Sequence, residues 1–340
     1  MTKWIPMVVL AAAPLIAMQH VIAQEKIELK ATTISPPTHF FVADFLQPWG
    51  NEIAKRTGGN VTVRVFAGNS PFGNAANQAD QVAAGVTDVS FSSNGFPRGR
   101  LPRTLIMEMP LVASDAAVAS KTLWSMRDSH LADDYKGFKV LGLLCGTGIG
   151  YFTRDKKIDR IEDLKGLRIR VLSPQSQATV QHFGAVPVSM PSPQIYESLE
   201  KRIIDGAIMG YDGVVGFRLE GLFKYSYPAK MFVACYHAVM NPRKYDSLPA
   251  AARKAIDETT GDSWVVSFPR SWDKSEQASR AVAVGKGMVE AQVAPELHAK
   301  WRAELKSVID EQLAETEKQG VPNARAIYEE MLKRASQFAK

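Results

Sequence analysis

The residues best placed to do chemistry lie between Asp163 and Asp212. Leu167, Ile169 and Val171 alternate with Arg168, Arg170 and Leu172, and the run stops at Ser173-Pro174. A period of two reads as a strand; serine followed by proline reads as an N-cap and a first helical position, where the missing N–H has no partner to lose. Arg170 therefore stands where a strand ends and a helix begins. The free N–H groups and positive dipole end of that helix face the same space as the guanidinium, so the spot favours a small anion, most simply a carboxylate, with Ser173 in reach. The unit then repeats. Ala185 to Ser189 is a short strand, Ser192-Pro193 opens a helix to about Lys201, and Ile203 to Met209 is a further strand. Open parallel sheets bind ligands beyond the carboxyl ends of their strands, where Arg170, Ser173 and Met209 fall.

Other reactive side chains are sparser. Asn94 follows the strand Asp88 to Phe91 of an earlier unit, at the equivalent strand end, and suits either a ligand contact or a turn. His39 opens a helix; no second histidine or carboxylate stands at helical spacing from it, so it reads as a residue of the cleft rather than a metal ligand. Tyr151, Tyr211 and Tyr236 read as cleft lining or as core aromatics with bonded hydroxyls. There is no Gly-x-Ser-x-Gly elbow and no His-Glu-x-x-His, and the six histidines form no evident triad. No enzymatic activity, metal or other cofactor is expected. The glycines of 146–150 lack both the Lys-Ser/Thr ending and the Gly-x-Gly-x-x-Gly spacing of phosphate loops.

The elements that must position these residues can be read along the chain. Residues 1–23 carry Lys3, an apolar stretch from Trp4 and the small-residue site Val21-Ile22-Ala23, the pattern of a cleaved secretory signal. The net charge of +6 is scattered, with no basic run longer than a pair such as Lys156-Lys157, so nucleic acid is not an expected partner. Ile27 to Thr33 alternates as a strand. Phe41, Phe45, Trp49 and Ile53 are four apart in a helix Phe40 to Arg56, which Thr57-Gly58-Gly59-Asn60 ends. Val61 to Phe66 is a strand, Asn74 to Ala84 a helix, and residues 114–136 are helical. This first unit matches the later one in order, which implies two α/β lobes across a cleft. Lys139 to Cys145 and Met231 to Met240 are long apolar strands able to cross between them, buttressed by C-terminal helices at about 249–293 (kinked near Pro269), 295–318 and 322–338. An exported protein permits a Cys145–Cys235 bridge, yet each cysteine sits in an apolar run, the usual setting of a buried free thiol; side-by-side crossing strands would bring the two close.

With these residues in view, the chain resembles the substrate-binding proteins of tripartite ATP-independent periplasmic (TRAP) transporters, of the dicarboxylate-binding type. The resemblance rests on the helix ending Arg56-Thr57-Gly58-Gly59, on Pro71-Phe72-Gly73, Gln81 to Asp88, Asp163 to Val171 and Ile204-Asp205-Gly206. It implies a two-lobed periplasmic binding protein fold of the α/β class, with hinge strands and a long lobe-spanning C-terminal helix. The corresponding divisions are 24–145 with 237–268 for one lobe, 146–236 with 269–320 for the other, and 321–340 for the last helix. It further implies a periplasmic, monomeric receptor that closes over a small organic acid and hands it to TRAP membrane permease subunits, with the family's carboxylate-pairing arginine at Arg170. Three departures bear on the ligand. Gly150, beside Tyr151, stands where many relatives have a second arginine; Met209 replaces an asparagine and Ser192 an aromatic. The remaining wall of Tyr151, Met209, Tyr211 and Tyr236 suits an aromatic, keto or hydroxy monocarboxylate. A C4-dicarboxylate would need Arg98, Arg100 or Arg103 as second cation. An exported sensor, or a hydrolase, are the other readings of the same chain.

Overall fold

The computed structural model describes Met1 and residues 26–294 and 296–339, so the expected signal segment lies outside the described residues. In chain order the first unit is β1 (Ile27–Thr33), a π-helical turn Phe41–Leu46 running into α1 (Gln47–Arg56), β2 (Val61–Phe66), α2 (Gln78–Ala84) and β3 (Val89–Ser93). After α3 (Ala116–Met126) and β4 (Lys139–Thr153) comes the second unit: β5 (Arg168–Val171), α4 (Pro174–His182), β6 (Val186–Ser189), α5 (Ile195–Glu200), β7 (Gly206–Met209) and α6 (Tyr211–Gly216). The long strand β8 (Tyr225–Met240) is followed by α7 (Pro242–Ser247), α8 (Ala250–Thr259), α9 (Asp262–Gly285), the two-residue β9 (Val289–Glu290), α10 (Leu297–Glu304), α11 (Lys306–Lys318) and α12 (Ala324–Phe338). Among the described residues no helix is long and apolar enough to cross a membrane.

One mixed sheet runs β2-β1-β3-β8-β4-β7-β5-β6, with β9 beside β8. Strands within each unit pair in parallel, as crossover helices require, whereas β8 and β4 run antiparallel to each other and to β3 and β7 respectively, and the short β9 pairs in parallel with β8. β8 meets β3 at Tyr236–Met240, and β4 meets β7 at Gly150–Thr153, so both long strands pass from one half of the sheet to the other. β4 does not stop at Cys145. It continues through the glycines with bulges, and Gly150 passes so close to β8 that an added Cβ would stand 2.6 Å from the Tyr227 carbonyl oxygen. No side chain fits there without a backbone shift.

Cys145 and Cys235 are directly opposed in the β4–β8 ladder and are joined as a disulfide, which corrects the expectation of free thiols. Apolar flanking sequence reports burial, while bonding depends on register, and register is a property of the paired strands. Thiol titration of the unreduced, denatured protein is expected to find no free sulfhydryl; two would overturn the bridge.

The helix expected over about 249–293 is broken at Thr260-Gly261 into α8 and α9. Trp264, Phe268 and Trp272, four apart on α9, bury their rings against Phe41, Phe45 and Phe91 of the first unit, and α9 also packs on α6 and β4. α9, with Pro269 in its interior, thus touches both halves of the sheet; α12 packs on α3 and α11.

Candidate ligand site

Arg170 lies on β5 with 4% of its surface exposed. Its Nε donates to the Met190 carbonyl (2.9 Å), Nη1 to the Ile208 carbonyl (3.1 Å) and Nη2 to Ser192 Oγ (3.3 Å). All three acceptors are neutral, and among the described residues no carboxylate makes an ion pair with it. Burial pulls the guanidinium down to about 10, against the fields of Tyr236 and Glu108, and it stays charged at neutral pH. Neighbouring Arg168 behaves differently: it points outward into a bidentate pair with Asp205 (2.9 and 2.7 Å). Alternation along β5 separates a surface arginine from a buried one.

Arg170 opens onto a cavity. One side is Ile34, Ser35, His39, Phe41, Ser93 and Phe96; the other is Pro191, Ser192, Met209, Gly210, Asp212 and Phe217; Ile149, Ala234, Tyr236 and Trp272 close the back. Tyr236 stacks on Phe91 (5.6 Å, 9°) and meets Phe41 edge-on (4.8 Å). Trp272 lies flat against the backbone of Gly146, where an added Cβ would fall 2.2 Å from the indole. The two halves of the sheet touch around this space. A Cβ on Gly95 would stand 2.1 Å from the Leu172 carbonyl oxygen, and Arg98 donates to Ser189 Oγ (3.2 Å) and Gln177 Oε1 (3.0 Å).

Of the residues expected at the site, Arg170, Met209, Tyr236 and His39 line the cavity, and four others do not. Ser173 is buried as the N-cap of α4, accepting from the Ser176 N–H while Ser176 Oγ accepts from the Ser173 N–H. Ser173→Ala is expected to cost about 1 kcal/mol of stability with ligand affinity unchanged, measured by denaturant melts and calorimetry. Asn94 is fully buried with its Oδ1 on His237 Nδ1 (3.0 Å), and its neighbour Ser93 takes the cavity position. Tyr151 is buried in a separate core cluster beside Tyr227 and Met231. Tyr211 turns away to Ser226 Oγ (2.6 Å) and Glu290.

Sequence reasoning missed Trp272, Phe217, Phe96, Asp212 and the buried acid Glu108. Glu108 Oε1 accepts the Cys235 N–H (3.2 Å), and burial, opposed by Ser173, Cys235 and Arg170, raises it to about 8. Trp272 continues the four-residue spacing of Trp264 and Phe268, which signals core and gives no hint of a cavity.

A family model described as bacterial extracellular solute-binding protein, family 7, matches residues 32–316. The chain belongs to this family. Family 7 proteins are solute-binding proteins rather than enzymes, and the family's fold is that of the TRAP solute receptors. A TRAP periplasmic solute-binding protein from Bordetella bronchiseptica, solved with bound (R)- and (S)-mandelate, superposes with a TM-score of 0.81 at 27% identity over 92% of this chain and 99% of that one. A TRAP solute-binding protein from Rhodoferax ferrireducens, solved with copurified benzoate, gives 0.86 at 24% identity, over 93% and 100%. Among curated relatives, the family 7 chain is 28% identical over 211 residues to the 2,3-diketo-L-gulonate-binding periplasmic protein YiaO of Escherichia coli, covering 60% of this chain and 63% of that protein. It is 25% identical over 269 residues to the outer membrane transporter protein TsaT of Comamonas testosteroni, covering 76% and 78%.

Proposed function

We propose that this family 7 protein is the periplasmic receptor of a TRAP transporter and captures an organic monocarboxylate with an aromatic or aliphatic tail. The observation that carries this reading is Arg170: a buried guanidinium that opens on a cavity, bonds neutral acceptors and, among the described residues, makes no ion pair with a carboxylate. Such a charge is costly until a ligand carboxylate joins it. Phe41, Phe96, Phe217, Tyr236, Trp272 and Met209 form a wall suited to a ring or an alkyl chain. The C4-dicarboxylate alternative has less support. Arg98 bonds Ser189 and Gln177, Arg100 pairs with Asp80 (2.7 Å) and Arg103 with Asp133 (2.9 Å), and none of the three lines the cavity. Mandelate and benzoate in the related structures agree with the monocarboxylate reading.

The protein acts as a monomer of two lobes divided as 24–145 with 237–268 and 146–236 with 269–320, exported by its first 23 residues, and delivers its cargo to the permease subunits. A thermal-shift screen of organic acids tests the ligand class, because a ligand that binds only the folded state raises the melting temperature. Shifts with aromatic, keto or hydroxy monocarboxylates are expected; shifts confined to succinate and malate would overturn the choice and leave the receptor role standing.

A further inference from the structure

We propose that Asp212 is a specificity-determining residue of the cavity, holding a negative charge in its wall that bars ligands bearing a second carboxylate. The inference rests on the receptor reading above and names what that receptor rejects. Asp212 follows the strand end at Met209, is 5% exposed and lines the same cavity as Arg170. Its Oδ2 lies 3.5 Å from Nε2 of His39, on the opposite half of the sheet. That contact does not neutralise it. His39 Nδ1 accepts the Phe41 N–H (3.2 Å), which leaves no lone pair for a second proton, and burial holds the imidazole down to about 3.

Asp212 has a carboxyl neighbour as well. Glu276 of α9 accepts the N–H groups of Tyr211 (2.9 Å) and Asp212 (2.8 Å), one on each oxygen. An ideal Cβ on Gly210 would fall 2.4 Å from Asp212 Oδ1 and 2.9 Å from Glu276 Oε2, so the two carboxyl groups converge on one point. Burial raises both; the Asp212 charge raises Glu276 further, while a hydrogen bond from Glu276 opposes the rise at Asp212, so two carboxyl groups converging on one point share one proton and keep one negative charge. The cations nearby are otherwise engaged or elsewhere. Arg280, one turn beyond Glu276, is bidentate to Glu290 (2.9 and 2.5 Å), and with Lys230 and the acid Asp273 it lines a neighbouring cavity that Glu276 borders and Asp212 does not. Among the described residues, Arg170 is the one cation lining the Asp212 cavity, and the Tyr236 hydroxyl feels both charges. A monocarboxylate uses the positive charge. A second carboxylate would meet the negative one.

Calorimetry at neutral pH with benzoate, isophthalate and the size-matched monomethyl isophthalate tests this on the intact protein. The wild type is expected to bind benzoate or the monoester at least about a hundredfold more tightly than isophthalate, the scale of an uncompensated like-charge contact. Asp212→Asn should narrow that ratio by at least about tenfold, chiefly by improving isophthalate; Asp212→Ser replaces it if the first variant does not fold. Glu276→Gln, which leaves the charge on Asp212, should keep the ratio. Wild type binding isophthalate as tightly as its monoester overturns the proposal, as does a ratio unmoved in the neutral Asp212 variants, and in both cases the receptor reading survives. If the wild type binds neither benzoate, the monoester nor any acid of the wider screen, the receptor reading fails and this inference falls with it.

Discussion

Arg170→Ala is expected to abolish most ligand affinity, with a loss of at least about 2–3 kcal/mol from the charge-assisted pair. The estimate follows from geometry. The guanidinium already bonds two carbonyls and a serine hydroxyl, so it is held in place before the ligand arrives and little entropy is spent on orienting it. Arg170→Lys should also weaken binding, because an ammonium cannot reproduce the planar fork or satisfy the Met190 and Ile208 carbonyls together. Isothermal titration against the best acid of the thermal-shift screen measures both. Unchanged affinity in Arg170→Ala would sink the assignment of this residue.

The second large effect concerns closure. Gly95→Ala is expected to weaken binding by at least about tenfold, roughly 1.4 kcal/mol, while the ligand-free protein melts as before. The Cα of Gly95 approaches the Leu172 carbonyl oxygen from the other half of the sheet, and an added methyl would stand 2.1 Å from it. Backbone atoms cannot rotate out of the way as a flexible side chain does, so the closed arrangement must loosen. An apparent dissociation constant rises as the competent closed population falls. Small-angle scattering should show ligand-dependent compaction in the wild type and less in the variant. Identical affinity, or compaction equal to the wild type, would mean that this contact does not limit closure.

Much of the architecture was legible from local pattern. The alternation of β1 and β5, the four-residue spacing through Phe41 and Trp49, and the Ser173-Pro174 start of α4 all report neighbours within a few residues, which a sequence displays directly. Arg170 was legible for the same reason, since its strand, its alternation and its following cap are contiguous. Ser173 was found but its role was not. The serine that marks the helix start spends its oxygen on that helix, and the cavity opens on the opposite side of Arg170, at Ser192 and Met209.

The sequence by itself determined the two α/β units, the long crossing strands and the arginine at a strand end. Tertiary structure decided everything that depends on register or on distant segments meeting. It joined Cys145 to Cys235 across the β4–β8 ladder, placed Tyr151 and Tyr211 away from the lining of the Arg170 cavity, and brought His39, Asp212 and Glu276 together from three separate segments. The physical reason is the same in each case. Helix and strand periods are set by neighbouring residues, whereas a one-residue slip or a bulge in a pairing redirects every side chain beyond it. A carboxyl's charge likewise depends on burial and on partners more than sixty positions away, as Glu276 is from Asp212.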